Sequence, residues 1–238
     1  MKCTFEILDW DSKFFNIKIC RINGTIANSI ELSDILKELK ESEIDLVYYS
    51  SPIPLQDFQQ LSLPYKIDLV DKKITYLKKI TDNPGVKDSV TEFVGEYPDD
   101  KLIQLAIESG IYSRFNVDKK FGRSNYEAMY KAWIVNSVNK QIAKEVLVYL
   151  DNQEIVGFVT LGEKKSRADI GIIAVDANAR GRGIGKSLMF SAENWFLKND
   201  YQLMQVVTQG DNLAACKLYE SCGYGIEQSD YFYHMWKE

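Results

Sequence analysis

The stretch ADIGIIAVDANARGRGIGKSLMF, residues 168–190, constrains the fold more than any other part of the chain. It opens with an apolar run that reads as a buried strand and passes through three glycines and three basic side chains. It then enters a segment whose apolar residues Ile184, Leu188, Ala192, Trp195 and Phe196 lie on one face of a helix over roughly 184–198. A strand feeding a helix through a glycine loop fixes an α/β class. It also makes an anion cradle. Residues without Cβ let backbone N–H groups converge, and the first turn of a helix leaves unpaired donors and a partial positive charge. Arg180, Arg182 and Lys186 add formal charge at the same point, which suits a diphosphate. A glycine-rich connection with solvated arginines is the bland alternative.

Two familiar phosphate loops fail letter by letter. A P-loop requires G-x-x-x-x-G-K-[ST]; GKS at 185–187 fits, but Arg180 stands where the first glycine belongs. A Rossmann loop requires G-x-G-x-x-G directly after a strand. Here Gly181 and Gly183 are followed by Lys186, and Asp176 to Ala179 separate the loop from the strand. Nucleotide hydrolysis and dinucleotide binding are both disfavoured.

Residues 3–9 and 17–22, DLVYYSS and KITYLKKI read as strands around the helical SIELSDILKELKES, with Ser29 or Ser33 as candidate N-caps. TDNPG at 81–85 is the densest turn signal. This places a small α/β domain at 1–82 and a larger one at 83–238. In the larger part, DKLIQLAIESG reads as a helix stopped by Gly110. NYEAMYKAWIVNSVN puts Tyr126, Met129, Tyr130, Trp133 and Ile134 on one helical face, read as packing. EVLVYLD and EIVGFVTLG form a hairpin across Asp151-Asn152-Gln153. After the glycine loop and its helix come the strand LMQVVTQ, the short helix NLAACKLYESCG and a last strand, YFYHMW. The order implies a mixed sheet, not a strict βαβ repeat.

With 29 Lys+Arg against 34 Asp+Glu the chain lacks the basic excess of a nucleic-acid binder. The start MKCTFEILDW does not read as a signal peptide, and no apolar run approaches the ~20 residues of a membrane span. Cys3, Cys20, Cys216 and Cys222 lack CxxC spacing and have one histidine, His234, to help them. Reduced thiols in a cytoplasmic protein and no metal site are therefore expected.

Arg180-Gly181-Arg182-Gly183-Ile184-Gly185 resembles the R/Q-x-x-G-x-G/A signature of the GCN5-related N-acetyltransferases, with IGIIAVDANA similar to their splayed central strand and QGDNLAACKLYESCGY to the segment after the next strand. The ordered set covers roughly residues 90–238. LDWDSKFFNIKICRI, SRFNVDKKF, MYKAWIVNSV and the YFYHMW ending extend a resemblance to the dTDP-fucosamine acetyltransferase-like branch over nearly the whole chain. The resemblance implies a mixed, mostly antiparallel central sheet preceded by a smaller α/β domain. It further implies acetyl-CoA as co-substrate and a small-molecule amine acceptor, best a dTDP-linked 4-amino-4,6-dideoxygalactose. Another small amine, an amino acid, a protein N-terminus or a non-catalytic acyl-CoA-binding role are the rivals.

Residue by residue, the resemblance assigns cofactor contacts to Ile173 and Val175 on the strand, to Arg180 through Ser187 in the loop (Arg180, Gly181, Arg182, Gly183, Ile184, Gly185, Lys186, Ser187), and to Asn212 and Ala215. Asn212, Ala215 and Tyr219 share one helical stripe. Tyr219 is the expected proton donor to the departing thiolate, since a phenol (reference ~10) stays protonated at neutral pH; Asn212 serves equally as a helix N-cap. Cys216 and Cys222 flank Tyr219, but no base accompanies them, so direct attack by the amine is the simpler chemistry. Arg114, Tyr231, Tyr233 and His234 are the acceptor-side candidates; His234 is a weak choice of base, and a water chain is the other route for the amine proton. An exposed last strand would offer a route to a homodimer.

Overall fold

The computed structural model describes residues 3–59, 61–81 and 89–238. By packing the chain divides into Met1–Lys73 with Ser229–Glu238, and Ile74–Gln228. The sequence-based division at 82/83 falls outside the described residues, as does TDNPG beyond residue 81. In the packing division, unlike the sequence-based one, the last strand segment joins the first unit. Among the described residues no helix is long and apolar enough to cross a membrane.

The first unit contains β1 (Thr4–Ile7), α1 (Asp9–Phe15), β2 (Ile19–Asn23), α2 (Ser29–Glu41), β3 (Leu46–Ser51), the first part of β4 (Tyr65–Lys79) and the last part of β10 (Gly225–Lys237). β1 is antiparallel to β2, β2 parallel to β3, and β3 antiparallel to β10, whose other neighbour is β4. Leu32, Leu36 and Leu39 recur at helical spacing and bury α2 against Cys20, Val47, Tyr49 and Met235. The α2 cap is Asn28, whose side chain accepts from the N–H groups of Ile30 and Glu31 at 3.0 Å. Ser29 and Ser33 both lie inside the helix, because Asn28 takes the extended backbone that a cap requires. The seven-residue α1 did not register as periodicity. It carries Asp9 and Asp11 in its first turn and ends on Asn16 in the left-handed region.

The second unit runs from the remainder of β4 through β5 (Val90–Glu92), α3 (Asp100–Ser109), α4 (Arg114–Val117), α5 (Gly122–Val138), β6 (Glu145–Asp151), β7 (Glu154–Lys164), β8 (Arg167–Val175), α6 (Ile184–Lys198), β9 (Leu203–Gln209) and α7 (Leu213–Ser221). Its strands lie in the order β4-β9-β8-β7-β6-β5. β5 to β8 are antiparallel and β8 is parallel to β9. The β6–β7 hairpin closes through Asn152 (φ 49°) and Gln153 (φ 69°), two consecutive left-handed residues that match the twist of a two-residue turn. α6 and α7 bury Leu188, Ala192, Phe196, Cys216 and Tyr219 with Leu161, Ile170 and Val206. α3 and α5 bury Leu102, Leu105, Ala106 and Ile134 with Val146, Phe158 and Ile172. The sheet is thus covered by helices on both faces, as a strand with both faces apolar demands.

One expectation is corrected here. The last strand is not an exposed edge: Tyr231–Trp236 pair with Ser51–Leu46 of β3, and β4 lies on the other side. Its ladder groups are already used, so it offers no free edge for a second copy.

Candidate active site

β8 and β9 pair only from Ala168–Met204 to Ile170–Val206, yet β8 continues to Val175 and β9 to Gln209. The cause of the parting lies in β8 itself, where it pairs with β7. The β7–β8 register shifts between Val159 and Leu161, so Gly171 and Ile172 together face Thr160. This is a bulge, which bends its strand. The buried Thr160 hydroxyl accepts the Ile172 N–H at 2.8 Å, taking the place of a ladder carbonyl. A Cβ on residue 171 would stand 2.7 Å from that hydroxyl oxygen, so glycine is required where the bend begins.

The gap opened by this bend is a cavity of about 510 Å³ in the second unit. Asp176 donates its N–H to Val156 at 2.8 Å on the β7 side. By alternation along the strand, the backbone groups of Ile173 and Val175 turn the opposite way, toward the cavity. The Arg180 Nε donates to the Val175 carbonyl at 3.2 Å and folds the loop back over the strand end. Gly181 (φ +78°) and Gly183 (φ +77°) take left-handed conformations with open space in front of them. Gly183 is the N-cap of α6 and supplies no side chain, so the first-turn N–H donors stay available to a ligand.

The expected loop contacts divide. Arg180, Gly181, Gly183, Ile184, Gly185 and Lys186 line the cavity. Arg182 does not, because its guanidinium is bound by Asp151 at 2.7 Å. Ser187 does not either: it is buried and donates its hydroxyl to the Gly183 carbonyl at 3.2 Å. Asn212, Ala215 and Tyr219 all line the cavity from α7, as their shared stripe requires. Asn212 is also the α7 N-cap, accepting the Ala215 N–H at 3.2 Å.

Tyr219 is 3% exposed, with its ring 5.6 Å from Tyr76 and 6.4 Å from Tyr224. Burial raises its phenol above the ordinary tyrosine range, and Cys216 and Cys222 push in the same direction. The phenol is therefore fully protonated at neutral pH. Neither cysteine lines the cavity, and burial raises the Cys222 thiol, away from the thiolate that nucleophilic attack needs.

The acceptor-side expectations fare differently. Arg114 lies in the short α4 with its guanidinium 4.3 Å from the Phe115 ring, outside the cavity lining. Tyr231, Tyr233 and His234 belong to the first unit. Tyr233 accepts the Leu55 N–H at 2.9 Å within that core. His234 is 0% exposed and stacks on Tyr48 at 4.9 Å, so water and substrate do not reach it as a base. None of the three lines the cavity.

The far wall of the cavity was missed by sequence reasoning. It comprises Glu108 and Ser109 of α3, Ile111 and Tyr112 after it, and Tyr130 and Trp133 of α5. Tyr130 and Trp133 were read as packing, since helical spacing reports a face but not what that face meets. α3 is tied to the end of β8 by a Lys101–Asp176 ion pair and to α5 by the Tyr126 hydroxyl on the Ile107 carbonyl. The Lys101 ammonium, with the Asn178 N–H, holds the Asp176 carboxyl below its ordinary range.

The family model described as "Acetyltransferase (GNAT) family" matches residues 101–224, which hold the bulged strand, the glycine loop and Tyr219. The chain belongs to this family. It is 26% identical to the dTDP-fucosamine acetyltransferase of Escherichia coli O6:H1 over 98% of this chain and 98% of that protein. It is 24% identical to the spore coat polysaccharide biosynthesis protein SpsD of Bacillus subtilis (strain 168), covering 95% and 81% of the two chains. Its fold is that of the GCN5-related N-acetyltransferase from Sphaerobacter thermophilus, with a TM-score of 0.56 over 98% of this chain and 76% of the other at 13% identity. The chain is thus an N-acetyltransferase, and acetyl-CoA is its acetyl donor. The residues present suit that donor. Open glycines, uncapped helix donors, Arg180 and Lys186 match a diphosphate, and the strand edge at Ile173 and Val175, beyond the β8–β9 ladder, matches an amide-bearing arm.

Proposed function

We propose that this acetyltransferase acts on the primary amine of a nucleotide-linked amino sugar, with a dTDP-linked 4-amino-4,6-dideoxy sugar as the acceptor. The observation that carries this reading is the extent of the likeness to the dTDP-fucosamine acetyltransferase. It covers 98% of both chains and so includes the first unit as well as the acetyl-CoA-binding part. A likeness confined to residues 101–224 would support the donor chemistry alone.

The acetyl-CoA diphosphate is held by the N–H groups around Gly181 and Gly183 with Arg180 and Lys186. Its pantetheine arm lies along the Ile173–Val175 edge, whose backbone donors also support the oxyanion of the tetrahedral intermediate. The amine nitrogen attacks the thioester carbonyl, and the Tyr219 phenol gives its proton to the departing sulfur. The raised phenol remains matched to this task, because burial that penalises a phenolate penalises a thiolate beside it too.

The test is a thiol-release assay with acetyl-CoA against dTDP- and UDP-linked amino sugars, free amino sugars, polyamines and amino acids. Turnover with a dTDP-linked amino sugar far above the others is the expected result. Turnover with a free amine or amino acid alone overturns the acceptor and leaves the transferase.

A further inference from the structure

The cavity has two chemically different ends. Its two cations, Arg180 and Lys186, stand at the glycine loop. Among the described residues that line it, one carries a carboxylate: Glu108, in the last turn of α3. Around Glu108 the lining turns aromatic, with Tyr112, Tyr130 and Trp133. The Gln104 side-chain amide donates to Glu108 Oε1 at 2.8 Å, which orients the carboxylate and leaves Oε2 for a ligand. The titratable groups around it are Lys101 on the same helix, Tyr112 in the following loop, and Tyr126 and Tyr130 on α5; Lys101 is engaged by Asp176.

We infer that Glu108 receives the acceptor: its carboxylate binds the incoming amine and takes the proton that nitrogen must lose. The inference rests on the reading of this cavity as the acetyl-transfer site, and it holds for any primary amine. A base must come within hydrogen-bond reach of the nitrogen. With His234 enclosed in the first unit, Glu108 is the carboxylate or imidazole that the described residues of the cavity wall supply. The ring that bears the amine packs its C–H face on the aromatic wall, which has no cation to attract phosphate. Any diphosphate of the acceptor therefore points away from this wall, and the ring with its amine is what the wall selects.

The step balances. The N–C bond forms as the C–S bond breaks; the proton from nitrogen goes to Glu108 and the proton for sulfur comes from Tyr219. Exchange with solvent then returns Glu108 to its carboxylate and Tyr219 to its phenol, so the net result is one acetyl group moved and one proton passed from nitrogen to sulfur.

The experiment compares wild type, Glu108→Gln and Glu108→Asp across a pH series, using whichever amine of the panel above wild type turns over. Acetyl-CoA binding is titrated separately for each. The expected result is a loss of about 10²- to 10⁴-fold in kcat/KM for the amine in Glu108→Gln, with acetyl-CoA affinity unchanged. Its rate should climb with pH as the amine itself deprotonates, and Glu108→Asp should recover part of the loss. Unchanged kcat/KM in Glu108→Gln, or a loss equally present at high pH where the amine is already neutral, overturns the role of Glu108. A free amine as the substrate turned over, with Glu108→Gln impaired, overturns the nucleotide-sugar reading and supports this one.

Discussion

Lys78 Nζ lies 2.7 and 2.8 Å from the two carboxylate oxygens of Glu193 and 2.8 Å from the carbonyl of Cys222. One ammonium on β4 thereby joins α6, whose first turn lines the cavity, to the end of α7, which carries Tyr219 and is capped by Asn212. The Tyr224 ring lies 5.3 Å from the same ammonium. The Glu193 side chain is 3% exposed and that of Lys78 21%, so the pair sits in the low-dielectric regime where removing one partner strands the other. Lys78→Met should destabilise the fold toward the lower end of about 3–5 kcal/mol, and Lys78→Met with Glu193→Leu should recover much of it. Urea denaturation of the two variants checks this. A double variant no more stable than the single would show that the pair is not the source of the loss.

The Thr160 hydroxyl and the Ile172 N–H, 2.8 Å apart, hold the bulge that separates β8 from β9. Thr160→Val keeps the shape and removes the acceptor, leaving a buried N–H unsatisfied at a cost of about 1–3 kcal/mol. The expected functional consequence is weaker acetyl-CoA binding, measured by titration, with Thr160→Ser close to wild type. Gly171→Ala places a Cβ against the same oxygen and should lower acetyl-CoA affinity by a different route, through displacement of the strand. Wild-type affinity in both variants would detach the bulge from the cofactor site.

Tyr219→Phe removes one oxygen from a buried ring and leaves its tilted and edge-on contacts with Tyr76 and Tyr224 in place. A proton donor contributes typically about 10²–10⁴-fold, so kcat should fall by that order while acetyl-CoA binds as before. Steady-state kinetics with a parallel binding titration separates the two. A kcat unaffected by the substitution would assign the proton to water and Tyr219 to packing.

The glycine-loop and α7 sides of the cavity are legible in the sequence because backbone chemistry writes itself into local sequence. Gly181 and Gly183 are glycines because the loop turns through left-handed φ there, and Asn212, Ala215 and Tyr219 share a stripe because a helix has a fixed period. The side built by α3 and α5 is not legible. Glu108, Tyr112, Tyr130 and Trp133 come from α3, its following loop and α5, and only the packing of those helices against the sheet collects them. His234 attracted attention as a lone histidine near the end of an aromatic strand, yet β10 turns it into the core beside Tyr48 and Phe232. Arg182 illustrates a further limit: the sequence places it in the loop, but Asp151, at the turn end of β6, decides where its side chain points.

Burial of phenols sets the alkaline limit of the fold. Tyr76, Tyr219 and Tyr224 are pushed above the ordinary range chiefly by burial, and Tyr126 is raised to about 12 for the same reason. In each case the folded chain holds the proton more tightly than the unfolded chain, whose tyrosines ionise near ~10. The stability from these groups is complete below that value and is lost as pH rises through the raised, folded-state range. A spectrophotometric titration of the 14 tyrosines should therefore resolve two sets. The solvent-accessible phenols ionise reversibly near ~10 with the far-UV circular dichroism intact. The buried set ionises only in step with loss of that signal. Tyr219→Phe removes one phenol from the second set and should shift the alkaline transition upward. A single reversible step near ~10, with the secondary structure unchanged throughout, would show that these rings are not enclosed as described.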